Sequence, residues 1–398
     1  MLEGLNSVPW DDLQHAYGSA EDVPALLRAL ADSEDVIGEL FGNIWHQGTV
    51  YEASSYAVPF LVELTAEPTV AARGDILGLL GALADGHSFL AGHAQPELGS
   101  IGQRLRQQPD YEQKLAAELE HVRRTRDAVF DHHQAFERLL EDPAPMVRAG
   151  AAYVLSRFPE HVADFAPFVR QAAQHERAPL ARAGMLWCLG CLRDASPETA
   201  AMLDAIVRCP DPRQAFAAAT ALHRIAGQPP PAAAQLYRQL AAATWFAEEF
   251  LTGVPWDFNA DPPVEELIED VEPDAPAATK MLLDFLSCAS DESEVYSSVM
   301  HDLVELNFPQ GKWWLRRQLT DVQKQVLSCL ADTQAVWSDT PVRLWNAAGK
   351  DLRRSNPTAT DIAKLRAEMR QLASGTAPAP TGPARAKRNW LGRLFGRP

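Results

Sequence analysis

The sequence predicts an all-α chain: an α-solenoid of stacked helical hairpins followed by a divergent helical C-terminal region. Three observations carry this. Asp142 to Leu155 realigns with Glu176 to Leu189, 34 residues on, and a self-match at that period marks an array of small repeated units. Apolar residues in both copies recur at helical spacing, as at Val147, Ala151 and Val154. The turn before each second helix carries an acid and a proline (Asp142 with Pro143, Glu176 with Pro179), supplying an N-cap carboxylate and a residue that starts a helix well.

Taken in order, residues 1–20 form an N-terminal cap over the open end of the stack, which terminal repeats require. Residues 21–84 hold the first repeats. Val23 to Leu30 is one helical stripe, Ser33 caps a second helix running to about Trp45, and 57–64 with 70–83 make the next pair. Arg73 occupies the place that Arg148 takes later. Residues 85–109, rich in Gly, His, Gln and Pro, read as an inserted surface loop. The repeats resume over 110–228, opening with one long charged helix from Asp110 that merges into Phe136, Leu139 and Leu140.

Arg148 and Arg182 each stand six residues after the turn acid, so each is expected to reach the acidic cap of its own or the adjacent repeat. Ala and Gly on the second helices allow the close approach that helix stacking needs. Asp211-Pro212 keeps the turn, although Ala217 and Ala218 replace the arginine, and Pro229-Pro230-Pro231 closes the array. Residues 229–373 are a divergent helical region with a C-terminal cap near Trp313-Trp314. The span Glu248 to Asp274 holds ten carboxylates and no base; it reads as a solvated acidic face, with docking of a basic partner as the sharper account. Residues 374–398 are a disordered linker and a basic amphipathic tail.

An acid and proline at the turn, then Val-Arg and small aliphatic residues, resembles HEAT-repeat proteins. Across residues 8–84, His15-Ala16-Tyr17-Gly18 and Trp45 to Ser54 are similar to bacterial HEAT-repeat proteins of the bilin-lyase-like group without an assigned function. The resemblance implies architecture more than activity. HEAT-repeat hydroxylases that hold two irons place His-Glu pairs on several repeats, whereas this chain has His175-Glu176 alone, at a turn-acid position. A metalloenzyme, hydroxylase- or lyase-like with His and Glu ligands, is therefore the alternative to a non-catalytic interaction scaffold. No catalytic residue, metal ligand or cofactor is assigned.

The net charge of −17 argues against nucleic acid as a partner of the body, since phosphate binding draws on Lys and Arg. Arg104, Arg106, Arg123, Arg124 and Arg126 interleave with acids at helical spacing and read as a salt-bridged surface. The expected partner is another protein, of basic character. The tail, with Arg385, Lys387, Arg388, Trp390 and Arg393, is a candidate for weak contact with an anionic membrane or with the acidic body. Five cysteines without disulfide-framework spacing, and no signal-peptide pattern, point to a reducing cytoplasm. Cys188 and Cys191 read as small core residues rather than a metal or redox pair. The densest polar and aromatic string lies at the junction of the first two helix pairs. There Trp45 and Tyr51 are candidates to stack on a ligand and His46, Gln47 and Glu52 to select polar groups, with His15 and Tyr17 beside them.

Overall fold

The computed structural model describes residues 1–32, 36–94, 99–227, 319–333 and 358–376, with short helical pieces between 276 and 308, and it is mostly helical. The chain divides into two units, Met1–Glu272 and Pro273–Pro398, so the boundary falls inside the stretch read as one divergent region.

The first unit opens with two short 3-10 turns whose Leu5 and Trp10 are buried. The Trp10 indole donates to the Leu5 carbonyl at 2.8 Å and its ring lies 6.3 Å from Phe60. Helices α1 (Val23–Asp32) and α2 (Ile37–Ile44) follow, then α3 (Glu52–Thr65) and α4 (Arg73–Ala84). Residues 85–109 are not a loop: α5 (Phe89–His93) and α6 (Gly99–Arg106) form there. Ser88 caps α5 by accepting from the Ala91 amide, a serine N-cap in the ordinary manner. The long charged helix is also shorter than expected. α7 spans Tyr111–Phe130 and a turn at Asp131-His132 separates it from α8 (His133–Leu139). Then come α9 (Pro145–Ser156), α10 (Val162–His175), α11 (Pro179–Cys191), α12 (Pro197–Ile206) and α13 (Pro212–Ala226).

Two kinds of helix alternate. α4, α9 and α11 are buried around most of their circumference, as a helix apolar on every side must be. α4 packs on α9, α9 on α11, and α11 on α13, while α3, α8, α10 and α12 each cover the helix that follows. Glycines set the closest approaches. A Cβ on Gly150 would sit 2.8 Å from Leu77 Cβ, and one on Gly190 would sit 2.5 Å from the Ala221 backbone.

The turns are tied by one contact made three times. Arg73 donates to the Thr65 carbonyl behind it and to the Asp142 carboxylate ahead. Arg148 donates to the Asp142 carbonyl and grips Glu176 with two bonds of 2.7 and 2.8 Å. Arg182 donates to the Ala173 carbonyl at 3.0 Å and to the Gln214 side-chain oxygen at 2.9 Å. The acids do not occupy the N-cap position expected of them: Ala144 and Ala178 stand there, before Pro145 and Pro179, and Asp142 instead accepts from the Ala144 amide and Glu176 from the Arg177 and Ala178 amides within the turn. Burial works against both carboxylates, yet the arginine and amide hydrogen bonds prevail and hold each below its ordinary pKa.

In the second unit, α14 (Asp321–Asp332) starts on a capping box of Thr320 with Gln323, and α15 (Ala359–Ser374) on one of Thr358 with Asp361. α15 packs on α14. Arg366 and Arg370 donate to the Ala331 carbonyl at the end of α14, where the helix dipole favours cations. Ser33, Pro229–Pro231, the acidic span Glu248–Asp274, Trp313-Trp314 and the basic tail from Arg385 lie outside the described residues.

Candidate functional site

The N-terminal junction is built from two small β-hairpins. β1 (Gln14–His15) pairs with β2 (Gly18–Ser19), and β3 (Trp45–His46) with β4 (Thr49–Val50). Trp45 therefore starts a strand instead of ending α2. Gln47 and Gly48 both have positive φ, 50° and 88°, the combination that a two-residue hairpin turn of matching twist demands. Gly48 is needed twice over. A Cβ there would sit 2.1 Å from the His87 ring, and the Gly48 carbonyl accepts from the His87 amide at 2.8 Å.

The seven expected site residues separate into roles. His15 is buried; its Nε2 lies 3.0 Å from Asp22 Oδ1 while its Nδ1 accepts from the Tyr17 amide at 3.0 Å. Asp22 in turn accepts from Asn43, so His15 holds the first hairpin in place. Tyr17 is 69% exposed, and its hydroxyl meets His46 Nδ1 at 3.3 Å with the rings edge to face. Trp45 packs edge-on against Phe41, 5.9 Å between centroids. Gln47 is exposed at the turn. Tyr51 precedes α3, and its amide donates to Ser54 Oγ, which itself donates to the Ile44 carbonyl. The hydroxyl at the start of α3 that takes up the Tyr51 amide is thus that of Ser54.

Sequence reasoning missed two contributors, Glu118 and His121 of α7. Glu118 on α7 accepts from Ser88 Oγ at 2.6 Å and from the Leu90 amide at 2.8 Å. Burial first, then Tyr17 and Glu118, push the Tyr51 phenol above its ordinary pKa. His121 is held below its usual value because burial outweighs the pull of Glu52, Glu118 and Glu120. These residues lie over 60 positions from the hairpins, so no local pattern announces them. The result is a polar, aromatic surface suited to hydrogen bonding and stacking. Among the described residues, no group of three or more His, Cys, Asp or Glu could hold a metal ion.

A second feature is an open groove of about 480 Å³ lined by residues of α8, α9 and α10 and the turns that follow α8 and α10, within the volume range of ordinary ligand sites. Glu137 and Glu141 stand one helical turn apart on one wall, and Phe168, 45% exposed, lies on the other. His175 Nδ1 bonds the Gln171 carbonyl at 2.8 Å; its neighbour Glu176 is the partner of Arg148. The basic cluster reads much as expected on α7: Arg123 and Arg124 bond Glu120 and hold its carboxyl at about 2. Arg126 instead reaches across to Ala84, Arg157 and Glu160. No helix among the described residues is long and apolar enough to cross a membrane. Comparison with protein-family models, curated proteins and solved structures finds no significant match to this chain.

Proposed function

We propose that the chain is a non-catalytic protein-interaction scaffold, a HEAT-like α-solenoid that presents the grooves between its hairpins to a partner protein of basic character. One observation carries this reading. The groove bounded by α8 and α10 leaves a large aromatic side chain exposed beside Glu137 and Glu141, carboxylates without an ion pair among the described residues. Exposed aromatic surface next to unpaired charge is the composition of a contact surface, with the aromatic supplying area and the charge selecting the partner. The three arginine contacts support the architecture, because each fastens one hairpin to the next in the same way. The hairpin pair around Tyr17 and His46 is a second contact surface.

Pull-downs from the native cell with three proteins test the proposal: wild type, Phe168→Ser/Glu141→Gln, and Tyr17→Ala/His46→Ala. A partner lost by the groove variant and kept by the hairpin variant supports the groove, and the reverse outcome moves the contact to the hairpins. Identical partner lists for all three remove both sites. Elemental analysis tests the metalloenzyme alternative, since stoichiometric iron or zinc in purified protein overturns the non-catalytic assignment.

A further inference from the structure

Where α11 meets α13, two thiols and two guanidinium groups come together. Cys188 is fully buried, but Cys191 is only partly so, which corrects the expectation that both are core residues. Arg224 of α13 places a guanidinium N–H 2.9 Å from the Cys191 sulfur and stacks on Trp187 of α11, 4.2 Å from the ring centroid. Arg157, paired with Asp85 at 2.8 Å, adds a second fixed positive charge within electrostatic reach of the same sulfur. Arginines so placed are the partners an anionic sulfur requires, and the thiolate is the reactive form of cysteine. Cys188 is one turn away on the same helix. Cα atoms three residues apart on a helix are about 5 Å apart, inside the roughly 4.4–6.8 Å span of disulfides, while their Cβ atoms, about 5–6 Å apart, must close to about 3.5–4.5 Å, which requires the last turn of α11, ending at Cys191, to open.

We propose that Cys191 and Cys188 form an oxidisable dithiol that reacts with hydroperoxides. The Cys191 thiolate attacks the terminal peroxide oxygen; the S–O bond forms as the O–O bond breaks, and the departing oxygen leaves as hydroxide. Sulfur loses two electrons and the peroxide gains them. The Cys188 sulfur then gives up its proton and attacks the sulfenic sulfur, so that the S–S bond forms, the S–O bond breaks and water leaves. Overall, two thiols and one hydrogen peroxide become one disulfide and two waters. The order follows from burial, which holds Cys188 protonated until a sulfenic acid stands next to it. Once the sulfur is taken, Arg224 loses the Cys191 thiol as an acceptor and keeps its stacking on Trp187.

The test uses the reduced full-length chain and hydrogen peroxide, with thiol loss followed residue by residue by alkylation and peptide mapping. Cys209, whose sulfur lies 3.2 Å from the Asp211 carbonyl, and Cys329, beside Thr333, serve as internal references. Cys191 is expected to react at least about tenfold faster than either in the folded chain, and at a similar rate to both in urea. The product is expected to be a Cys188–Cys191 disulfide that dithiothreitol reverses. Arg224→Gln is expected to remove most of the rate advantage and Arg224→Lys to retain part of it, with folding checked by circular dichroism. Rates at Cys191 no faster than at Cys209, or a product without the Cys188–Cys191 bond, overturn the proposal, and both readouts are available from wild type alone.

Discussion

The N-terminal junction and the arginine-linked turns use similar residues to opposite ends. Along the turns, Arg73, Arg148 and Arg182 each satisfy a carbonyl behind and an acceptor ahead, and the acids Asp142 and Glu176 also take up turn amides. At the junction, His15 and Ser54 are spent in this way. Tyr17 and His46 meet each other at the surface with a long 3.3 Å contact and leave their faces to solvent. Polar groups enclosed on all sides hold the fold together, whereas the exposed contact between Tyr17 and His46 adds little to it.

The comparison breaks most visibly at Arg73. Its side chain and that of Asp142 are 8% and 10% exposed, so Arg73→Ala removes charge-assisted bonds from a partly buried carboxylate that keeps the Ala144 amide, and is expected to cost about 1.5–3 kcal/mol, read from urea denaturation of the full chain. A loss below about 1 kcal/mol would show that the turns do not depend on the contact.

A smaller effect sharpens the picture. Asp142 and Glu176 release protons more readily when folded, so the unfolded chain binds more protons in acid and stability falls as pH drops through that range. The destabilisation by Arg148→Ala is therefore expected to shrink as pH falls below the ordinary Glu value of 4.5. Arg182→Ala, whose acceptor is the neutral Gln214 amide, is expected to cost about 0.5–1.5 kcal/mol with little change over the same range. Smallest of all, Tyr17→Ala/His46→Ala is expected to alter stability by no more than about 0.5 kcal/mol, measured by thermal unfolding; a larger loss would make the pair part of the framework.

The turns were legible because their parts sit close in sequence: an acid, a proline and an arginine six residues on announce a turn and a reach, although the acid does not take the N-cap position. The expectation that Arg148 would reach a turn acid holds at Glu176, while Arg182 bonds the Gln214 side chain and Asp211 caps α13 by accepting from the Arg213 and Gln214 amides. The junction was harder. Strands of two residues leave no alternation to detect, so Trp45 read as helix. The break between α7 and α8 has neither glycine nor proline at Asp131-His132, and nothing local tells the sequence to stop there. Glu118 entered the site from a distant helix, which only tertiary packing can bring about.

The arginine contacts also have a direction. Arg73 precedes Asp142 by 69 residues, Arg148 precedes Glu176 by 28, and Arg182 precedes Gln214 by 32. During synthesis the cation of every step leaves the ribosome before the group it will hold, so each emerging hairpin meets an anchor already in place. A chain truncated from its C-terminus strands an arginine whose stem and charge reach water readily, whereas one truncated from its N-terminus strands a carboxylate among buried helices. Shortened forms of this protein should accordingly survive the first kind of cut far better than the second.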